Sequence, residues 1–348
     1  MVSRRARAYI LVLLFFLLCV ALILATGVGA VQIAPASVIK ALLHKIGIRF
    51  LGAPDRKEQT IIVLVRLPRV LASLLVGASL ATAGAAMQGL FRNPMASPEI
   101  LGVSAGASLG AVVSINTGLF ALSMYFLPLL TVAGAAFSAT LIYLVSTRRG
   151  RTTLLFVVIS GMAISSFLNG LISAVLLFSK EYQVSQFIFW TMGGLDGRRW
   201  EHIRMVVPFL IPGIALLAVL SRELNLFLLG EEGAHSLGMN VELVKRVVLA
   251  LSALITGVAV SISGTIGFVG LLVPHLLRLI VGPDYRVLLP ASILGGALFL
   301  VACDLLGRII MPPFEIRVGI ITSIIGAPYL LFLIFRYQRK GRTDFGGV

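Results

Sequence analysis

The chain has 348 residues, of which 58% are hydrophobic and only 12% charged, and its mean hydropathy is +1.03. That balance excludes a water-soluble globule of ordinary composition and makes lipid the solvent. The net charge of +15 sits in loops and at span ends, where it reads as headgroup or partner binding, and no nucleic-acid partner is expected.

A hydrocarbon core about 30 Å thick takes about 20 residues of helix per crossing, so the apolar sequence supplies about ten crossings. The expected fold is all-α, a single polytopic permease domain over residues 1–348. Arg4, Arg5 and Arg7 precede an apolar run over 8–31. Val28, Gly29 and Ala30 form a weak cleavage site, but a run this long reads as an uncleaved first span rather than a signal peptide. Further spans are expected near 68–90, 99–117, 122–146, 153–178, 203–220, 241–263, 267–280, 287–311 and 318–337.

Ten crossings put both termini on one side. The clusters at Arg4, Arg5, Arg7 and at Arg336, Arg339, Lys340, Arg342, with the loop Arg148, Arg149, Arg151, make that side the cytoplasm. About 16 of the 29 Lys and Arg then lie inside and about 13 outside. The outer excess gathers in the first outer loop, from Lys40 through Arg49 to Arg69, and at Arg198, Arg199, Arg204, Arg308 and Arg317. It reads either as a solvated, headgroup-binding rim or as a positive rim that steers an acidic partner or anionic cargo.

Shifting the chain by 180 residues superposes Gly77 on Gly257, Gly84 on Gly264, Pro94 on Pro274 and Gly102 on Gly282. The shift carries span 2 onto span 7, five spans on, which implies an inverted internal repeat of the kind transporters use.

The motifs narrow the chemistry. No GK[ST] phosphate loop occurs, so the chain does not hydrolyse ATP by that route. An ion-gradient-driven carrier needs ionisable groups in mid-membrane. Here Asp304 and Glu315 fall towards outer span ends, Glu99 near an inner end, and the histidines show no metal-ligand spacing. Cys19 and Cys303 lie in apolar runs and read as small hydrophobes. No cofactor or metal is expected.

Gly102 to Gly106 reads G-x-S-x-G, and an intramembrane serine protease using Ser104 with His275 is a remote alternative. The required strand-turn-helix context is missing, and His275 is expected to hydrogen-bond near an inner helix end. Between spans 6 and 7, Gly230, Glu231, Glu232, Gly233, Ala234, His235, Ser236, Leu237, Gly238 and Met239 form a polar island. A short helix with acids in its first turn is expected there. Its alternative is an ordinary amphipathic loop.

Several long motifs run in order through nearly the whole chain. They are RLPR at Arg66–Arg69, MQGLFRNPMASPEILGVSAG at Met87–Gly106, LGEEGAHSLGMN at Leu229–Asn240, GTIGFVGLLVPHLLR at Gly264–Arg278 and GAPYLLFL at Gly326–Leu333. Together they resemble the permeases of binding-protein-dependent ABC importers for vitamin B12, ferric siderophores and haem. The resemblance implies ten spans in the cell (inner) membrane and a homodimer around a central path. It also implies two cytoplasmic ATPase subunits and an extracytoplasmic substrate-binding protein. By the same resemblance, the helix at Gly230–Met239 seats on the ATPase, and Arg66, Arg69 and Arg308 meet carboxylates of the binding protein from an exposed rim. Arg317 stands where the family usually has proline, which bears on the role of Glu315. Gly264, Gly267 and Gly270, beside the short eighth span, are the residues expected near the path. Close helix packing is their other reading.

Overall fold

The computed structural model describes residues 3–29, 31–45 and 55–339. Ala30, Arg49, Lys340 and Arg342 lie outside the described residues, as do the side chains of Arg4, Arg336 and Arg339. Helix α1 (Arg4–Gly27) is followed by α2 (Pro35–Lys45) and α3 (Arg56–Thr60). The last continues through a wider π-helical stretch, Ile61–Arg66, into α4 (Leu67–Leu90), giving one 35-residue helix. A 3₁₀ turn at Pro98–Leu101 leads to α5 (Val103–Asn116), α6 (Leu119–Leu122) and α7 (Phe126–Ser146). A two-residue hairpin, β1 (Thr147–Arg148) antiparallel to β2 (Arg151–Thr152), precedes α8 (Leu154–Leu177), α9 (Glu181–Thr191) and α10 (Trp200–Val219). Then come α11 (Ser221–Phe227), α12 (Glu231–Ser236), α13 (Val241–Ser263), α14 (Val269–Val281), α15 (Tyr285–Ile309) and α16 (Val318–Arg339).

Among the described residues, seven helices are long and apolar enough to cross a bilayer: α1, α3–α4, α7, α8, α10, α13 and α15. Three shorter apolar helices, α5, α14 and Val318–Leu333 of α16, complete the ten expected crossings. Pro208 and Pro212 interrupt α10, and Pro290 interrupts α15. Neighbouring helices make such breaks tolerable in lipid.

The centre of the bundle is α4, most of whose residues are buried, packed against α13, α14 and α15. Its run of Ala, Gly and Ser makes this possible, because helix association in lipid depends on close backbone approach rather than on hydrophobic burial. At Gly84 any methyl would overlap the carbonyl of Gly270 in α14, and at Gly77 that of Gly296 in α15. Lipid-sized side chains point outward instead, as with Phe15 and Phe16 of α1 and Phe156 of α8.

The third crossing departs from expectation. Instead of a helix over 99–117, the chain re-enters the bundle after Leu90, turns at Pro98–Leu101, and starts α5 only at Val103. Gly102, with φ +59, takes the left-handed conformation this junction needs. The carbonyl of Ile100 packs on Gly161, seven residues into α8, and Pro98 packs on Gly270. At 1.5 Å per residue, Glu99 therefore lies about 10 Å into the bundle rather than at an inner span end.

Of the four points matched by the internal shift, Gly77 and Gly257 both lie inside long central helices, α4 and α13, and Gly102 and Gly282 both cap helices at positive φ, while the other two occupy different local positions. Gly84 lies inside α4 whereas Gly264 caps α13, and Pro94 is in a turn whereas Pro274 is inside α14. Helix α9 is unanticipated by the span pattern. Its end is laced to the α13–α14 junction and the start of α16: Gly194 N donates to Ser263 O at 2.7 Å, Thr265 Oγ1 to Thr191 O at 2.5 Å, and Gly319 N to Gly193 O at 3.2 Å.

Candidate functional site

Three places carry the polar chemistry: an end cluster of arginines, a cavity inside the bundle, and a clamp at the opposite end.

At the first, α1 ends without a basic residue in its last turn, so its carbonyls need donors from elsewhere. Arg66 supplies them to Thr26 O at 3.0 Å and Gly27 O at 2.6 Å, and also reaches Val31 O. Arg308 donates to Ala25 O at 2.9 Å and Val28 O at 3.1 Å. Both are therefore placed where a helix C-terminus favours a cation. Arg69 grips Asp304 through Nε at 3.1 Å and Nη2 at 3.0 Å, and reaches Glu315 through Nη1 at 2.7 Å. Arg308 closes the cluster on Asp304 at 3.3 Å.

The expected exposed rim is thereby corrected. Arg66 is 7% and Arg308 8% exposed, held by α1 carbonyls, and two carboxylates balance Arg69 and Arg308. Only Glu315 in this cluster stands well into solvent. Arg317, the departure from the family pattern, pairs with Asp196 at 3.2 Å and lies over the Phe189 ring at 5.2 Å. It ties the entry of α16 to the loop after α9.

The cavity, of about 670 Å³, opens between α5, α8, the end of α9, the α13–α14 junction and α16. Its polar wall is made of Ser104, Ser108, Ser165, Asn169, Thr191, Thr265 and Ser323, with Glu99 among them. Gly267 lines it, and Gly270 lines a smaller adjoining cavity of about 90 Å³. Gly264 does neither: it packs against the Trp190 carbonyl at φ +68, a structural cap. Ser104 faces this cavity, but His275 is absent from its lining and packs edge-on to Tyr329 at 6.5 Å. Neither ring nitrogen of His275 has a hydrogen-bond partner among the described residues, so the hydrogen bond expected of it is not formed and no Ser–His pair is assembled.

At the opposite end, the polar island is the expected short helix, α12, with Glu231 and Glu232 in its first turn. Ala234 and Met239 anchor it, while Glu232, His235, Ser236, Leu237 and Gly238 face outward. Sequence reasoning missed what holds it. Lys245 of α13, 2% exposed, donates to Glu231 at 2.6 Å, to Thr152 O at 3.0 Å and to Glu242 at 3.2 Å. Glu242 in turn accepts from Thr152 N at 2.9 Å. One ammonium thus joins α12, α13 and the β1–β2 hairpin. The available signal was the spacing of Glu242 and Lys245, three apart at a helix start.

Beside this clamp, Asn225 of α11 donates to Asp284 at 2.8 Å and accepts from Tyr285 N at 2.9 Å, and Arg7 pairs with Asp284 at 3.6 Å. Burial pushes the Asp284 carboxyl up. The Asn225 amide, the Arg286 N–H and the charges of Arg286 and Arg7 outweigh it and hold the group below its ordinary value.

A bundle crossing about ten times, with a polar cavity in its depth and no phosphate-binding loop in its sequence, has the architecture of a membrane permease. The model of the FecCD transport family matches residues 17–336. The chain is 44% identical to the cobalamin import system permease BtuC of Halobacterium salinarum, covering 81% of this chain and 75% of that one. It is 41% identical to the hemin transport system permease HmuU of Yersinia pestis, covering 80% and 84%. It is 37% identical to the Fe(3+)-citrate import system permease YfmD of Bacillus subtilis, covering 98% and 97%. A solved structure described as an inward-facing conformation of a metal-chelate type ABC transporter superposes with a TM-score of 0.83 at 32% identity, covering 94% of this chain and 99% of that one. The chain belongs to the FecCD transport family and is a transmembrane permease subunit of an ABC importer.

Proposed function

We propose that this chain is the non-catalytic, path-forming subunit of an inner-membrane importer for a ferric siderophore, with haem and cobalamin as neighbouring cargo classes. Two copies pair around a central path as single-domain permeases. Two cytoplasmic ATPase subunits seat on α12, and an extracytoplasmic binding protein docks at the end bearing Arg69 and Glu315. Both termini are cytoplasmic, a reading supported by Arg7, Arg148, Arg149 and Arg151 lying at the same end as α12.

The observation that carries this reading is the Lys245 clamp. A short helix with an outward face, tied through one buried cation to a spanning helix and a neighbouring hairpin, is built to be pushed as a unit. ATP-driven closure of a partner that binds it would then shift the permease between its two access states. Gly267 and the cavity it lines are the path, to which each of two copies contributes one wall. The apolar side chain of Ile324 in the cavity wall, 64% exposed, supplies surface for the second copy.

At the outer end, Arg69 exchanges Glu315 for a carboxylate of the binding protein. Arg66 and Arg308 hold the end of α1 that frames this surface. The competing reading is a stand-alone carrier driven by an ion gradient. Uptake of labelled ferric chelates, haem and cobalamin by vesicles holding the chain with its ATPase and binding protein separates the two. Import that needs ATP and survives an uncoupler supports the importer, whereas import abolished by the uncoupler with ATP present rejects it.

A further inference from the structure

The cavity wall is neutral except at one point. Its hydroxyls and the Asn169 amide carry no charge, and Glu99 is the only ionisable side chain among its described lining residues. The Glu99 carboxylate has no hydrogen-bond or ion-pair partner among the described residues and is open to the cavity, its Oε1 4.0 Å from where a methyl on Gly267 would stand. A carboxylate inside a bilayer is costly to hold and is ordinarily paired with a cation or a helix donor. At the outer end Asp304 and Glu315 balance Arg69 and Arg308, Arg66 donates to α1 carbonyls, and no arginine is among the described residues lining the cavity.

We propose that Glu99 makes the path prefer cations, so that cargo crosses it as a neutral or positively charged chelate and anionic chelates are disfavoured. This rests on the cavity being the path, as proposed above. A sphere of 670 Å³ has a radius of about 5 Å, and even at the dielectric of bulk water a carboxylate that far away favours a unit cation over a unit anion about tenfold. Charged side chains on an otherwise neutral wall select ions in channels by the same physics.

The test needs no knowledge of the cargo. With Cys19 and Cys303 replaced by Ala, a single cysteine is placed on the cavity wall by Ser165→Cys, or outside it by Ser123→Cys. Its rates of reaction with a cationic trimethylammonium-ethyl and an anionic sulfonatoethyl methanethiosulfonate are compared in proteoliposomes. Adding Glu99→Gln should lower the cation-to-anion rate ratio about tenfold at position 165 and leave it unchanged at 123, while Glu99→Asp, which keeps the charge, should keep the ratio high at 165 and leave it unchanged at 123. A ratio at 165 unmoved by Glu99→Gln, or moved equally at 123, overturns the charge preference while leaving the importer reading in place. Failure of either reagent to reach position 165 overturns the assignment of the cavity itself.

Discussion

Replacing Lys245 by Met keeps much of the buried stem and removes the charge that joins α12, α13 and the β1–β2 hairpin. Three donated bonds go: to Glu231 at 2.6 Å, Thr152 O at 3.0 Å and Glu242 at 3.2 Å. Their losses are unequal. Glu231, 44% exposed, takes up water, and Glu242 keeps the Thr152 N–H, but the Thr152 carbonyl loses its Lys245 donor in a residue only 2% exposed. An orphaned buried acceptor costs about 1–3 kcal/mol and a bond to a charged group about 1.5–3 kcal/mol, so with the exposed partner discounted we expect about 2–4 kcal/mol in all. The assay is thermal unfolding in nanodiscs combined with the ratio of solute imported to ATP hydrolysed. Glu231→Gln alone, leaving Lys245 its other two partners, should cost about 1 kcal/mol or less yet still lower the transport ratio. The two substitutions should couple by about 1 kcal/mol in a double-mutant cycle. Additivity within about 0.5 kcal/mol, with an unchanged transport ratio in both variants, would refute the clamp.

Three further outcomes follow from the geometry. Gly238 sits at φ +83 with its N–H donated to His235 O at 2.9 Å, so Gly238→Pro, which fixes φ near −65° and removes that donor, should break the exit of α12 and leave ATP hydrolysis running without import. Gly84→Val should drive α4 from α14 and cost about 3 kcal/mol or more, read as lost yield and a lower unfolding midpoint, whereas Gly118→Ala, at an open position, should cost far less. If Arg69 trades Glu315 for a partner's carboxylate, Arg69→Ala should slow binding-protein association and flatten its salt dependence. Glu315→Gln should speed it by up to about fivefold, the worth of one exposed pair. Equal association rates in all three proteins would remove Arg69 from the docking surface.

Much of the fold was legible because lipid imposes a blunt rule: apolar runs of crossing length mark spans, and ten of them were readable one by one. The rule is silent about depth. A 14-residue α5 preceded by a re-entrant turn has the same composition as a longer helix over 99–117, and so Glu99 was expected at an inner end. What placed it deeper was contact between Ile100 and Gly161, which no local pattern records. The arginines show the complementary limit. Their positions at an outer end followed from span order, but whether they face a partner depends on Thr26, Gly27, Ala25 and Val28, carbonyls at the end of a helix far away in sequence. Helix α12 was legible from Gly230 and its two acids. Lys245 was not, because a buried lysine five residues into a helix differs from an exposed one only in its tertiary partners.

The central claim is that the bundle is a gate driven by ATP hydrolysis on another subunit. The most direct measurement is uphill solute accumulation in proteoliposomes containing the chain alone, the chain with its ATPase, and the full set with the binding protein. Accumulation confined to the sets with the ATPase and ATP, and strongest in the full set, is the predicted result. Uphill accumulation by the chain alone on an imposed ion gradient would contradict it.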